Sequence, residues 1–140
     1  MFAQPSVRNR VLGVLLYKYD AKGFLHWGHN FWYSQYSKHP IDPFKVTDAG
    51  GNFPAGDSFV VYPGKGGKPL NSLRHIVFAD AFQDLRALRL LESKIGYDKT
   101  VALIENTTGG ELTFMNYERG IEPMLAKREK VNAMIEEYCK

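Results

Sequence analysis

The chain has 140 residues, 44% hydrophobic and 24% charged, with a formal net charge of +3. That is one domain's worth, long enough to bury a core, and its scattered Lys and Arg do not imply a nucleic-acid groove built on charge. One cysteine, Cys139, excludes an internal disulfide framework, and no apolar run nears the ~20 residues of a membrane span.

In chain order, Met1-Phe2-Ala3-Gln4-Pro5 lacks the basic-then-apolar pattern of an export signal. Localisation stays open, because a lone cysteine says little about compartment. Ser6 to about Asp20 is predicted as a helix capped by Ser6, with Val7, Val11, Leu15 and Tyr19 at a spacing of four. After Gly23, Phe24 to Trp27 is predicted as a buried strand, so that helix and strand form the αβ half of a βαβ unit.

Residues 34–71 hold Pro40, Pro43, Pro54, Pro63 and Pro69 and six of the 13 glycines, which predicts a long irregular excursion. One extended piece, Ser58 to Tyr62, interrupts it. Compact domains rarely keep such a loop unless it does something, such as covering a site. Ser72 to about Ile95 is a long helix with Leu73, Ile76, Val77, Ala81, Leu88 and Leu91 on its apolar side, stopped by Gly96. Asp98 can cap a shorter helix through Ile104. A last helix near Glu122 to Tyr138 accepts Pro123 in its first turn and turns Met124, Val131, Met134, Ile135 and Tyr138 inward. The whole is read as a single unit, 1–140, made of 6–33, 34–71 and 72–140.

Both tryptophans fall in the run Phe24-Leu25-His26-Trp27-Gly28-His29-Asn30-Phe31-Trp32-Tyr33. Indole faces beside Asn, His and Tyr suit a sugar ring, whose C–H face stacks while its hydroxyls need fixed donors and acceptors. The plain alternative is a core strand ending in structural aromatics. His26 and His29, three apart on a strand, point to opposite faces, which argues against zinc. Asp80 and Asp84 share a helical face, whereas a glycosidase needs carboxyls on two sides of the scissile bond. They pair with Arg74 or Arg86, or stay solvated. Arg74 can brace the preceding loop through its carbonyls, and Tyr62 can either reach the site or anchor its turn. Gly64-Lys65-Gly66-Gly67-Lys68-Pro69 lacks the Ser/Thr and the glycine spacing of a phosphate loop.

Three segments together resemble the C-terminal part of the catalytic domain of glycoside hydrolase family 123. They are Arg10-Val11-Leu12-Gly13 through Tyr17-Lys18-Tyr19 to Gly23–Gly28 and Asn30-Phe31-Trp32; Asp42-Pro43-Phe44 with Gly56-Asp57-Ser58 and Val61–Gly64; and Ser72-Leu73-Arg74 with Asp80 and Asp84. Order and spacing agree over about residues 8 to 90. Ile76, Ala79 and Gln83 depart from the family's more polar pattern. The resemblance implies an α/β fold: the C-terminal helix–strand–helix portion of a (β/α)8 barrel, incomplete in this chain and mostly helical with few short strands. Phe24–Trp27 would be the last barrel strand, with its C-terminal end at the site.

Members of the family resemble substrate-assisted N-acetylgalactosaminidases, whose Asp–Glu pair lies on earlier strands. The expectation is therefore an aromatic wall of Trp27, His29, Asn30, Trp32 and Tyr62 binding an N-acetylated amino sugar, with no catalytic residue, metal or cofactor and no activity alone. The implied partners are a glycan and the upstream barrel portion or a second copy, not nucleic acid or membrane. A non-catalytic carbohydrate-binding or interaction module is the alternative.

Overall fold

The computed structural model describes residues 5–139, so Met1–Gln4 and Lys140 lie outside it. It is mostly helical: α1 (Val7–Lys18), α2 (Leu73–Ile95), α3 (Tyr97–Thr108) and α4 (Ile121–Tyr138), with one antiparallel pair, β1 (Val61–Pro63) and β2 (Pro69–Asn71). None of the helices is long and apolar enough to cross a membrane. The chain packs as two compact units. The first is Phe24–Ile76 and the second is Pro5–Gly23 together with the chain from Val77 onward.

The helical unit is held by one apolar cluster. Val7, Val11, Val14, Leu15 and Tyr17 of α1 join Ala87, Leu88 and Leu91 of α2, Ile104 of α3, Leu112, and Met124 and Val131 of α4. Of the four-residue spacing foreseen for α1, Val7, Val11 and Leu15 are buried, whereas Tyr19 caps the helix and is exposed. Gly13 sits where a Cβ would meet the Ala81 carbonyl oxygen at 1.8 Å, so this position tolerates only hydrogen. The Ser6 hydroxyl makes no cap. The first amides are met by backbone instead, the Ser6 carbonyl accepting from Asn9 N at 2.9 Å.

Gly96 (φ +86°) ends α2 as expected, and α3 starts at once from it. Asp98 thus lies in the first turn rather than at the cap. This helix runs past Ile104 to Thr108, where the Thr107 and Thr108 hydroxyls both donate to the Ile104 carbonyl, at 2.8 and 3.0 Å, before the left-handed Gly109. On α4, Met124 and Val131 are buried and Met134 and Ile135 pack on the cluster, but Tyr138 in the last turn faces solvent. Leu73 and Ile76, expected on the apolar side of α2, are exposed in its first turn. The buried stripe begins at Phe78 and Ala81.

Buried charges in this unit are paired. Asp84 accepts from Arg10 Nε at 2.8 Å and from Arg128 Nη1 at 2.8 Å, not from Arg74 or Arg86. Lys127, 3% exposed, meets Glu118 at 2.6 Å and donates to Thr108 Oγ1 at 3.1 Å. Such pairs cost as much desolvation as they return in attraction, so their value lies in what their rupture would leave behind.

The smaller unit is built on the aromatic run, with a shift from the sequence reading. Phe24–Trp27 forms no strand, and Leu25 is 84% exposed. The extended part begins after Gly28. Asn30 bridges Phe59, with Phe31 N donating to the Ser58 carbonyl (3.0 Å) and Val60 N to the His29 carbonyl (2.8 Å). On its other side Tyr33 bridges Pro40, and Ile41 N donates to the Trp32 carbonyl at 3.0 Å. A strand is stabilised by the edges it pairs with, and here both available edges lie against 29–34. Gly28 makes this possible, because a Cβ there would lie 2.3 Å from the Asp57 carbonyl oxygen and 2.7 Å from Ser58 Cα.

Candidate functional site

The pairing of 29–34 with 58–61 sets the aromatic run beside the β1–β2 hairpin, and a cleft of about 440 Å³ opens between them. That volume falls within the ~300–1,000 Å³ typical of small-molecule sites. One wall is His29, Asn30 and Trp32. The other is Val61 and Pro63 of β1, the turn residues Gly64, Gly67 and Lys68, and Pro69.

Trp32 is fixed in this wall: its indole Nε1–H donates to the Val61 carbonyl at 3.0 Å. With its polar handle used, the part of Trp32 left for a ligand is the apolar ring. His29 stands edge-on to His75, ring centroids 5.5 Å apart, and the His75 Nδ1 lies 3.1 Å from Asn71 Oδ1. Asn30, which bridges Phe59, is exposed and lines the cleft.

Of the five residues the sequence selects, three line the cleft and two lie elsewhere. Trp27 donates to Asp57 Oδ2 at 3.2 Å and packs on Phe53 and Phe31, at centroid distances of 4.9 and 5.6 Å. Its position before Gly28, outside the paired segment, keeps it off the wall. Tyr62 is turned away by the strand's two-residue period, since Val61 and Pro63 face the cleft and Tyr62 the opposite side. There it meets Phe59 (5.1 Å) and Phe44 (5.0 Å).

Arg74 holds this arrangement from below. It is 7% exposed, donates to the Gly56 carbonyl and lies 5.7 Å from the Phe59 ring centroid. Burial lowers its pKa, opposed chiefly by Tyr62 beside it. Burial likewise lowers that of His26, against the pull of Asp57.

The second wall is not among the residues that the sequence singles out, where Gly64–Pro69 stands only as a failed match to a phosphate loop. A usable signal was present: Gly66-Gly67 between two short extended pieces is a hairpin signature. No carboxylate lines the cleft, and among the described residues no group of three or more His, Cys, Asp and Glu side chains is placed to hold a metal. The cleft offers an indole face, an imidazole, an amide and one lysine.

No curated protein matches the chain. The family model for the glycoside hydrolase 123 catalytic domain matches residues 1–91, which include the whole aromatic run, both walls of the cleft and most of α2. The chain belongs to the glycoside hydrolase 123 catalytic-domain family.

Proposed function

We propose that this chain is the closing portion of a (β/α)8 barrel that hydrolyses glycosidic bonds of N-acetylated amino sugars, and that its cleft is the aromatic wall of the sugar site. The observation that carries this is the seating of Trp32, Asn30 and His29 on one wall, inside the family-matched segment. An indole ring with its N–H already engaged stacks on the C–H face of a pyranose, while Asn30 and His29 supply hydrogen bonds to its hydroxyl or acetamido groups. Trp27 and Tyr62 act as supports, through Asp57 and Phe59 respectively.

The reaction needs an acid and an acetamido-orienting carboxylate on the far side of the sugar. In this reading both come from the remainder of the barrel, in the same polypeptide or in another. Exposed apolar residues of the smaller unit, among them Leu25, Leu73 and Ile76, are the surface such a remainder would cover.

Two assays test the proposal. The isolated chain should leave a chromogenic N-acetyl-β-galactosaminide intact, yet bind N-acetylgalactosamine saturably by ligand-observed NMR. Trp32→Ala should abolish that binding and Trp27→Phe should retain it. Supplying the remaining barrel segment should restore hydrolysis. Binding without restored hydrolysis would make this a carbohydrate-binding module instead, and absence of both would end the sugar-site reading.

A further inference from the structure

The smaller unit carries Lys38, Lys45, Lys65, Lys68 and Arg74 against Asp42, Asp48 and Asp57. All three carboxylates are engaged away from the cleft. Asp57 accepts from Trp27 at 3.2 Å, Asp42 from Phe44 N at 3.0 Å with Lys45 nearby at 3.7 Å, and Asp48 from Gly50 N at 3.1 Å. Lys68 stands on the cleft wall across from Trp32 and His29, and Lys65 begins the same turn. Neither forms an ion pair with the described residues.

An exposed lysine by itself is ordinary surface. This one is placed by a turn fixed on both sides. Gly64 N donates to the Lys68 carbonyl at 2.9 Å, and a Cβ on Gly64 would meet that oxygen at 2.4 Å. Lys68 N in turn donates to the Lys65 carbonyl at 3.4 Å. A neutral sugar needs no such cation, and a concave wall with one ammonium and no carboxylate focuses positive potential on its contents.

We propose that the sugar taken by this cleft bears an anionic group, a sulfate ester or a uronate carboxylate, with Lys68 as its counter-charge. This deepens the sugar-site reading and rests on it. Trp32 stacks on the ring, Asn30 and His29 hold its neutral polar groups, and Lys68 selects for the charge.

The test compares binding of the whole chain to N-acetylgalactosamine, its 6-sulfate, a disaccharide of glucuronate and N-acetylgalactosamine, and inorganic sulfate. Each is measured by NMR titration at about 20 mM and about 200 mM salt, a range over which exposed charge pairs become strongly screened. At low salt the proposal expects one of the two anionic sugars to bind about two- to fivefold tighter than the neutral one, a range set by an exposed ion pair. Which of the two gains identifies the anion. Lys68→Ala should erase that gain, so that within this variant the anionic sugars bind no tighter than the neutral one, and Lys68→Arg should keep it.

Equal binding of neutral and anionic sugars, or a gain that survives in Lys68→Ala, would overturn the counter-charge while leaving the sugar site standing. Inorganic sulfate binding as tightly as the sulfated sugar would overturn it too, as mere anion attraction. If no sugar binds, the underlying reading falls and this proposal with it.

Discussion

Gly28→Ala is a one-carbon change whose sign is decided by space alone. Its backbone is not in the left-handed region, so by the usual unfolded-state argument alanine would stabilise by ~0.4–1 kcal/mol. Against that, the new Cβ would stand 2.3 Å from the Asp57 carbonyl oxygen and 2.7 Å from the Ser58 Cα and carbonyl carbon. These are backbone atoms and cannot swing aside. Opening the oxygen contact to even the shortest tolerable separation requires a shift of ~0.7 Å, enough to forfeit a quarter or more of the dispersion well at each lining contact.

The same shift pulls His29–Phe31 off 58–60, where two backbone hydrogen bonds of 2.8 and 3.0 Å join the segments. At about 1 kcal/mol each, those bonds together with the lost packing outweigh the entropic gain. The net expectation is a loss of about 2 kcal/mol. Urea titration followed by tryptophan fluorescence suits the measurement, because both indoles lie within four residues of the site. Gly23→Ala is the control, with nothing within 4 Å of its Cβ and no positive φ. It should be neutral or slightly stabilising. A Gly28→Ala protein as stable as the Gly23→Ala one would refute the close approach, and with it the cleft that the approach forms.

Gly13→Ala should destabilise the helical unit despite alanine's helix advantage of ~1 kcal/mol, because the Cβ would stand 1.8 Å from the Ala81 carbonyl oxygen. Thermal melting monitored by far-UV circular dichroism reads the outcome, and an unchanged or raised midpoint would disprove the contact. Lys127→Ala strands the Glu118 carboxylate, 6% exposed, and should cost about 3–5 kcal/mol. Adding Glu118→Leu should recover much of that in a denaturant titration, whereas a purely additive double mutant would mean that the two groups do not depend on each other.

Burial holds the His26 ring below its ordinary pKa, so the folded smaller unit takes up this proton less readily than the unfolded chain. Its stability contribution is intact above about pH 6.5, the unfolded value, and is lost as pH falls from there toward the depressed folded value. An imidazole NMR titration should find His26 less than half protonated when a free imidazole is half protonated. A His26 midpoint at or above the free value would contradict the assigned burial.

The helices were legible because each is long enough for its own spacing to declare which side is apolar. Val7, Val11 and Leu15 at intervals of four, and Ala81, Leu88 and Leu91 along α2, need no knowledge of partners to be read as a buried stripe. Gly96 and Pro123 marked boundaries through local stereochemistry alone. The brace at Arg74 was also within reach, as a cation one turn into a helix that follows a loop rich in free carbonyls. Residues 24–33 were legible only as a kind: aromatic, extended and interrupted at Gly28.

Tertiary structure decided what was paired with what. Apolar sequence announces a strand without saying which edge will receive it, and the edges at 39–41 and 58–61 moved the extended segment from Phe24–Trp27 to beyond Gly28. That displacement put Trp32 on a cleft and Trp27 against Asp57, and the alternation of β1 sent Tyr62 to the opposite side. Asp84 likewise found Arg10 and Arg128, 74 and 44 residues away, rather than the arginines near it on its own helix. Spacing along one element is a property of the chain. Contacts between segments depend on close approaches such as that at Gly28, which exist only once the chain has folded.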